Sequence, residues 1–149
     1  MSNALFLLGC PESPVQTAIA LYLANGLKRE SIDVTVAGTR SAIALLKVSD
    51  PEGNYVSKTV DLDSCIEDLA EKKVDFDLCF VFVRNDAGIS YLSTLNSISD
   101  AKLFAIVFGS DADALASMID FECEKIVYKT GHNPVPLKNR IDRVMKWDV

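Results

Sequence analysis

The sequence predicts an α/β fold: a three-layer α/β/α sandwich built on a mostly parallel five-stranded sheet. Two observations predict it. Five short apolar runs are continuous rather than alternating, as expected of strands buried on both faces. Between them lie segments whose apolar residues recur at helical spacing, so strand and helix alternate along the chain. At 149 residues the chain is near the usual size of one domain, and a single domain over 1–149 is expected.

The first strand is residues 4–8, Ala-Leu-Phe-Leu-Leu, closed by Gly9. Ser13, Pro14 and Gln16 then supply an N-cap, a first-turn proline and an N3 glutamine, the signature of a capping box. Val15, Ala18, Ile19, Tyr22, Leu23 and Leu27 follow as a core-facing helical stripe. The second strand is residues 33–37, rich in β-branched side chains and ended by Gly38, with a helix over 41–47 after it. Asp50-Pro51-Glu52-Gly53 reads as a turn. Residues 55–60 fit either an extra edge strand or an irregular arm, and the pattern leaves both open.

Leu62, Cys65, Ile66 and Leu69 place a helix over 63–72. Residues 78–83, Leu-Cys-Phe-Val-Phe-Val, form the most apolar run and are assigned the centre of the sheet. A helix over 86–97, a strand over 103–108 and a helix over 111–119, with Leu115, Met118 and Ile119 on one face, come next. A fifth strand over 125–129 precedes a terminal helix marked by Leu137, Ile141, Val144 and Met145. Right-handed crossovers then allow a flavodoxin-like strand order 2-1-3-4-5, the preferred topology, or a Rossmann-like 3-2-1-4-5.

Composition narrows function mainly by exclusion. With 15 basic and 21 acidic residues the formal net charge is -6, and there is no Lys/Arg stripe, so nucleic acid is not an expected partner. The apolar runs are far shorter than the roughly 18–20 residues of a membrane span, and the first residues lack a charged n-region, so a cytoplasmic protein without membrane contact is expected. Cys10, Cys65, Cys79 and Cys123 show no CxxC spacing, which argues for reduced thiols rather than a disulfide framework or structural zinc, and no metal site is assigned. The first turn is not G-x-G-x-x-G, the second strand ends in glycine rather than an acid, and neither a G-K-[ST] loop nor a G-x-S-x-G elbow is present. These absences disfavour ordinary NAD binding, P-loop chemistry and α/β-hydrolase chemistry.

The candidate residues collect in the turns that the crossover rule puts at the carboxyl edge of the sheet, where open α/β sheets bind ligands. Cys10, Glu12, Ser13, Arg84, Asn85 and Asp86 are expected to line one crevice, with His132 at its rim. Cys10 precedes a helix N-terminus, whose dipole favours a thiolate, and Cys10-Pro11-Glu12-Ser13 has the CxxS form of monothiol redox sites. Glu12 opposes that ionisation, and plain packing of a small residue is the alternative. His132 suits a general base, or simply a turn before Pro134. Arg84 suits bidentate recognition of a phosphate or carboxylate, while Asn85 or Asp86 also fits a helix cap. Asp111 and Asn133 are further ligand-binding candidates, Asp111 again with a capping alternative. Cys65 and Cys79 are assigned to the core.

Several stretches resemble a known family: Leu8-Gly9-Cys10-Pro11-Glu12-Ser13-Pro14-Val15-Gln16, Asp50-Pro51-Glu52-Gly53, Val60-Asp61-Leu62-Asp63-Ser64-Cys65-Ile66, Asn85-Asp86-Ala87, Asp111-Ala112-Asp113 and His132-Asn133-Pro134. Together they resemble the family catalogued as domain of unknown function 1890, over essentially the whole chain. The resemblance implies a small cytosolic three-layer α/β/α protein of methanogenic archaea, in anaerobic cells where free thiols survive and corrinoids, nickel tetrapyrroles, deazaflavin and thiol coenzymes abound. It supplies no catalytic residue to carry over, and the cofactor stays unassigned. The leading functional expectation is binding of a small anionic molecule or coenzyme at the carboxyl edge. The alternatives are a thiol-dependent enzyme using Cys10 with His132 as base, and a homodimeric assembly protein; a homodimer is the expected state, because the apolar content is high for a chain this short.

Overall fold

A computed structural model describes residues 2–146. Its strands are β1 (Asn3–Leu8), β2 (Asp33–Gly38), β3 (Lys58–Asp61), β4 (Leu78–Val83), β5 (Lys102–Val107) and β6 (Glu124–Val127). Its helices are α1 (Pro14–Arg29), α2 (Arg40–Ser49), α3 (Leu62–Ala70), α4 (Asp86–Ile98), α5 (Ala112–Ser117) and α6 (Val135–Met145). All pairings are parallel and the order is β3-β2-β1-β4-β5-β6. No helix among the described residues is long and apolar enough to cross a membrane.

The sheet therefore has six strands rather than five. The five predicted ones keep the preferred relative order 2-1-3-4-5, with β4 paired to β1, and the Rossmann-like 3-2-1-4-5 order holds once the additional strand is counted. The segment left open becomes β3, an edge strand joined to β2 in register from Thr35 with Lys58 to Gly38 with Asp61. Its addition gives the six-strand order of doubly wound dinucleotide-binding sheets, with the reversal of winding between β1 and β4.

Alternation along the strands builds two cores. Ala4, Phe6, Leu8, Phe80, Phe82 and Phe104 face α1, α2 and α6, and Leu5, Leu7, Cys79, Val81, Ala105 and Val107 face α3, α4 and α5. Phe6 meets Phe80 edge-on at 5.4 Å, and Phe80 stacks on Phe104 at 4.4 Å between centroids. Such aromatic pairs add to the apolar area they bury. Ala18 is exposed, so the buried face of α1 runs through Val15, Gln16, Ile19, Ala20, Leu23, Ala24 and Leu27 instead. Met118 is likewise exposed, just past the end of α5, while Leu115 and Ile119 are buried.

The capping box does not form, although α1 begins where expected. Ser13 makes no side-chain cap to the helix and instead donates its hydroxyl to the Gly131 carbonyl. Gln16 is buried and donates its amide to the Gly9 carbonyl at 2.9 Å. Both side chains thus tie the start of α1 to neighbouring turns, fixing the floor of the carboxyl edge.

At the turn before β3, the buried Asp50 carboxylate accepts backbone N–H groups from Asn54, Tyr55 and Val56 at 2.7, 3.1 and 3.3 Å. Gly53 takes a φ of 65°, which a side chain there would strain. The strongest turn signal in the sequence is what delivers β3 to the edge.

Candidate functional site

The reversal of winding opens the carboxyl edge between the β1–α1 and β4–α4 turns. Two adjoining clefts lie there, with Glu12 and Arg84 lining both. The first, about 160 Å³, is lined by Gly9, Cys10, Gln16, Thr39, Asn85 and Tyr91 over an apolar floor of Leu7, Val81 and Phe82. The second, about 380 Å³, adds Ser13, Ser110, Lys129, Thr130, Gly131 and His132.

The expected crevice is therefore divided. Cys10 and Asn85 line the first cleft, Ser13 and His132 the second, and Glu12 and Arg84 both. Asp86, Asp111 and Asn133 line neither. Asp86 is the exposed first residue of α4, and Asp111 is the exposed N-cap position of α5, without a side-chain cap bond. Asn133 accepts the Val135 N–H at 3.1 Å with its side chain, holding the entry to α6. Asn85 is the cap of α4, accepting the Ala87 N–H at 3.1 Å. Cys10 and His132 share no cleft and no hydrogen bond joins them, so the geometry does not assemble a thiol and its base.

Arg84 differs from its neighbours. It directly follows β4, the most apolar strand, and its Nε is buried without a hydrogen-bond partner. No ion pair neutralises it among the described residues, where the only two join Lys73 to Glu71 and Lys138 to Asp142. Packing holds the guanidinium in place. Gly109 has a φ of 93°, and a Cβ built on it would lie 2.7 Å from Arg84 Cδ and 2.8 Å from Nε. Gly109 also donates its N–H to the Thr130 carbonyl at 2.7 Å, so the β5 and β6 turns form one wall under the arginine.

Charge in the second cleft is locally reversed relative to the whole chain. Arg84 and Lys129 face it against the single acid Glu12, in a protein of net charge -6. Among the thiols, only Cys10 is exposed. Burial pushes Cys65 up to about 11, and it raises Cys79 and Cys123 as well. No group of three or more His, Cys, Asp or Glu among the described residues is placed to hold a metal.

Arg84 is among the sequence candidates that line the clefts, whereas Gly109, Gln16, Thr39, Tyr91 and Lys129, which line them too, are not among the sequence candidates. Gly109 carried a signal, a glycine directly after a strand at the ligand-binding edge. Tyr91 carried none, because its place on α4 reads as an ordinary interior position of an amphipathic helix.

Comparison with known proteins agrees with this architecture. The model of the family described as domain of unknown function (DUF1890) matches residues 5–144. The chain is 30% identical over 149 residues to Uncharacterized protein MJ0452 of Methanocaldococcus jannaschii, covering 97% of this chain and 98% of the relative. It is 42% identical to the solved structure described as "Structure of MT0777", with a TM-score of 0.90 and all of both chains covered. On the strength of the family match, the chain belongs to the family described as domain of unknown function 1890.

Proposed function

We propose that the protein binds a small anionic molecule at the carboxyl edge of its sheet, with Arg84 as the principal charge partner. The observation that carries this reading is the unpaired guanidinium wedged over Gly109, its Nε buried and without a partner. Leaving a buried donor unsatisfied costs about 1–3 kcal/mol, so such a group is expected to have a use.

The opposite edge gives the contrast. There Asn3 donates its N–H to Asp77 at 3.0 Å, Asp77 donates its own to the Asn3 side chain at 3.0 Å, and Asp75 accepts from Ser99 and Asp100. The amino edge satisfies its polar groups internally, and the carboxyl edge holds a cation that the fold leaves unpaired.

The β1–α1 turn also favours Arg84 over the helix N-terminus as the anchor. Pro11 and Pro14 remove two backbone donors from that turn, and the Gln16 N–H is engaged by the Ser13 carbonyl at 3.3 Å. Calorimetric titration with inorganic phosphate and with acetate tests the reading. Arg84→Ala is expected to weaken binding of the preferred anion tenfold or more, with Arg84→Lys intermediate because it keeps charge but loses the bidentate fork. Undiminished binding by a folded Arg84→Ala protein would remove Arg84 from the account.

A further inference from the structure

Granting an anion on Arg84, the two clefts differ in a way that specifies the rest of the ligand. The polar side chains of the first cleft are largely committed to their own backbone. Gln16 donates to the Gly9 carbonyl, Thr39 accepts the Ala42 N–H and Asn85 accepts the Ala87 N–H. Apart from Cys10, Glu12 and Arg84 at its border, what remains is apolar: Leu7, Val81 and Phe82 below, with the half-buried ring of Tyr91 at the side. In the second cleft, Arg84, Lys129 and His132 have no hydrogen-bond partner among the described residues.

Volume points the same way. Sites for organic ligands usually occupy roughly 300–1,000 Å³. The first cleft, at about 160 Å³, is the size of a single ring, since an apolar cavity of about 150 Å³ holds one benzene. The second, at about 380 Å³, is at the lower end of the range. Glu12 and Arg84 line both, so the two clefts adjoin at these side chains.

We infer that the ligand is a two-part organic oxyanion, with a charged head on Arg84 and Lys129 in the second cleft and a compact, flat, weakly polar body in the first. This inference rests on the anion-binding reading above and goes beyond it by excluding inorganic anions as the intended occupants. It also separates the ligand class from dinucleotides. The acid next beyond β2 is Asp61, which caps α3 by accepting the Ser64 N–H and hydroxyl on Oδ2 at 3.1 and 3.2 Å and lines neither cleft.

Gly9 offers a selective plug. A Cβ built on it meets nothing within 4 Å, and its φ lies outside the range that strains a side chain, so leucine there extends into open space. Gly9 lines the first cleft and not the second. The probes are phenyl phosphate against inorganic phosphate and benzoate against acetate, titrated calorimetrically into the full chain. The expected result is that the aromatic member of at least one pair binds about tenfold tighter, as burial of a ring predicts. Gly9→Leu and, independently, Tyr91→Ala are expected to bring that ratio to within about twofold. Equal affinities within both pairs, or a ratio unchanged in both folded variants, would overturn the two-part ligand. Arg84→Ala separates the two levels, because it weakens both members of a pair by the same factor. If it weakens neither, the anion site itself falls, whatever the ratios.

Discussion

Arg84 shows how a single residue can be legible in type and illegible in state. Its position after the most apolar strand, at the edge where such sheets bind ligands, was readable from the sequence. That its guanidinium is unpaired was not, because pairing depends on which carboxylates the turns bring near it. The supporting glycine was equally hidden, since the φ of 93° at Gly109 matters only once Arg84 is known to lie against it. Cys10 is the complementary case: its exposure at a cleft follows from its place in the turn, whereas its separation from His132 follows from the division of the crevice. In native protein at pH 8, alkylation followed by peptide mapping is expected to modify Cys10 first. Cys65, raised to about 11 and buried, and Cys79, more deeply buried, react only after unfolding. Labelling of Cys79 at the rate of Cys10 in folded protein would contradict the packing of the second core.

Among the elements, those with strong periodicity were legible and those defined by pairing were not. β4 and α1 appear in their expected places because apolar runs and helical stripes are local properties. β3 is four residues, Lys-Thr-Val-Asp, exposed or half-buried throughout, so only its ladder with β2 identifies it. The capping box failed for a related reason: Ser13 and Gln16 have local partners available but find others, Gly131 lying 118 residues away. The connections at the amino edge are also nonlocal, and one of them titrates. Burial pushes the Asp75 carboxyl up, but hydrogen bonds from Ser99, Asp100 and Phe76 and the charge of Lys72 outweigh it and hold the group below its ordinary value. A folded value below the unfolded one, about 3.9, means that the stabilisation is fully present above that pH and is lost as pH falls through the lower folded value. Wild type is therefore expected to exceed Asp75→Asn in thermal stability by a constant margin from neutrality to about pH 5, closing below about pH 4. A margin unchanged at pH 3 would show that the carboxylate charge is not what ties these loops together.

At the scale of the whole molecule, strand order converts these local facts into a site. The reversal between β1 and β4 separates the two turns that carry Cys10 and Arg84, and parallel pairing puts all the βα turns on one edge. The sequence determined the alternation of elements, hence the edge on which to look, and left two orders of the five recognised strands open that the pairing of β4 with β1 decides. It could not show that the edge is divided, because the division depends on Arg84 packing against the β5 and β6 turns. The central proposal is that this unpaired guanidinium binds an anion. Its most direct measurement is the Nε–H resonance of Arg84 in protein labelled with nitrogen-15, assigned by its loss in Arg84→Lys and followed during titration with phenyl phosphate. The expected result is a saturable shift at Arg84 that the other arginines do not share. An Arg84 resonance that stays put while the protein binds the probe, or that moves only in common with every other arginine, would contradict it.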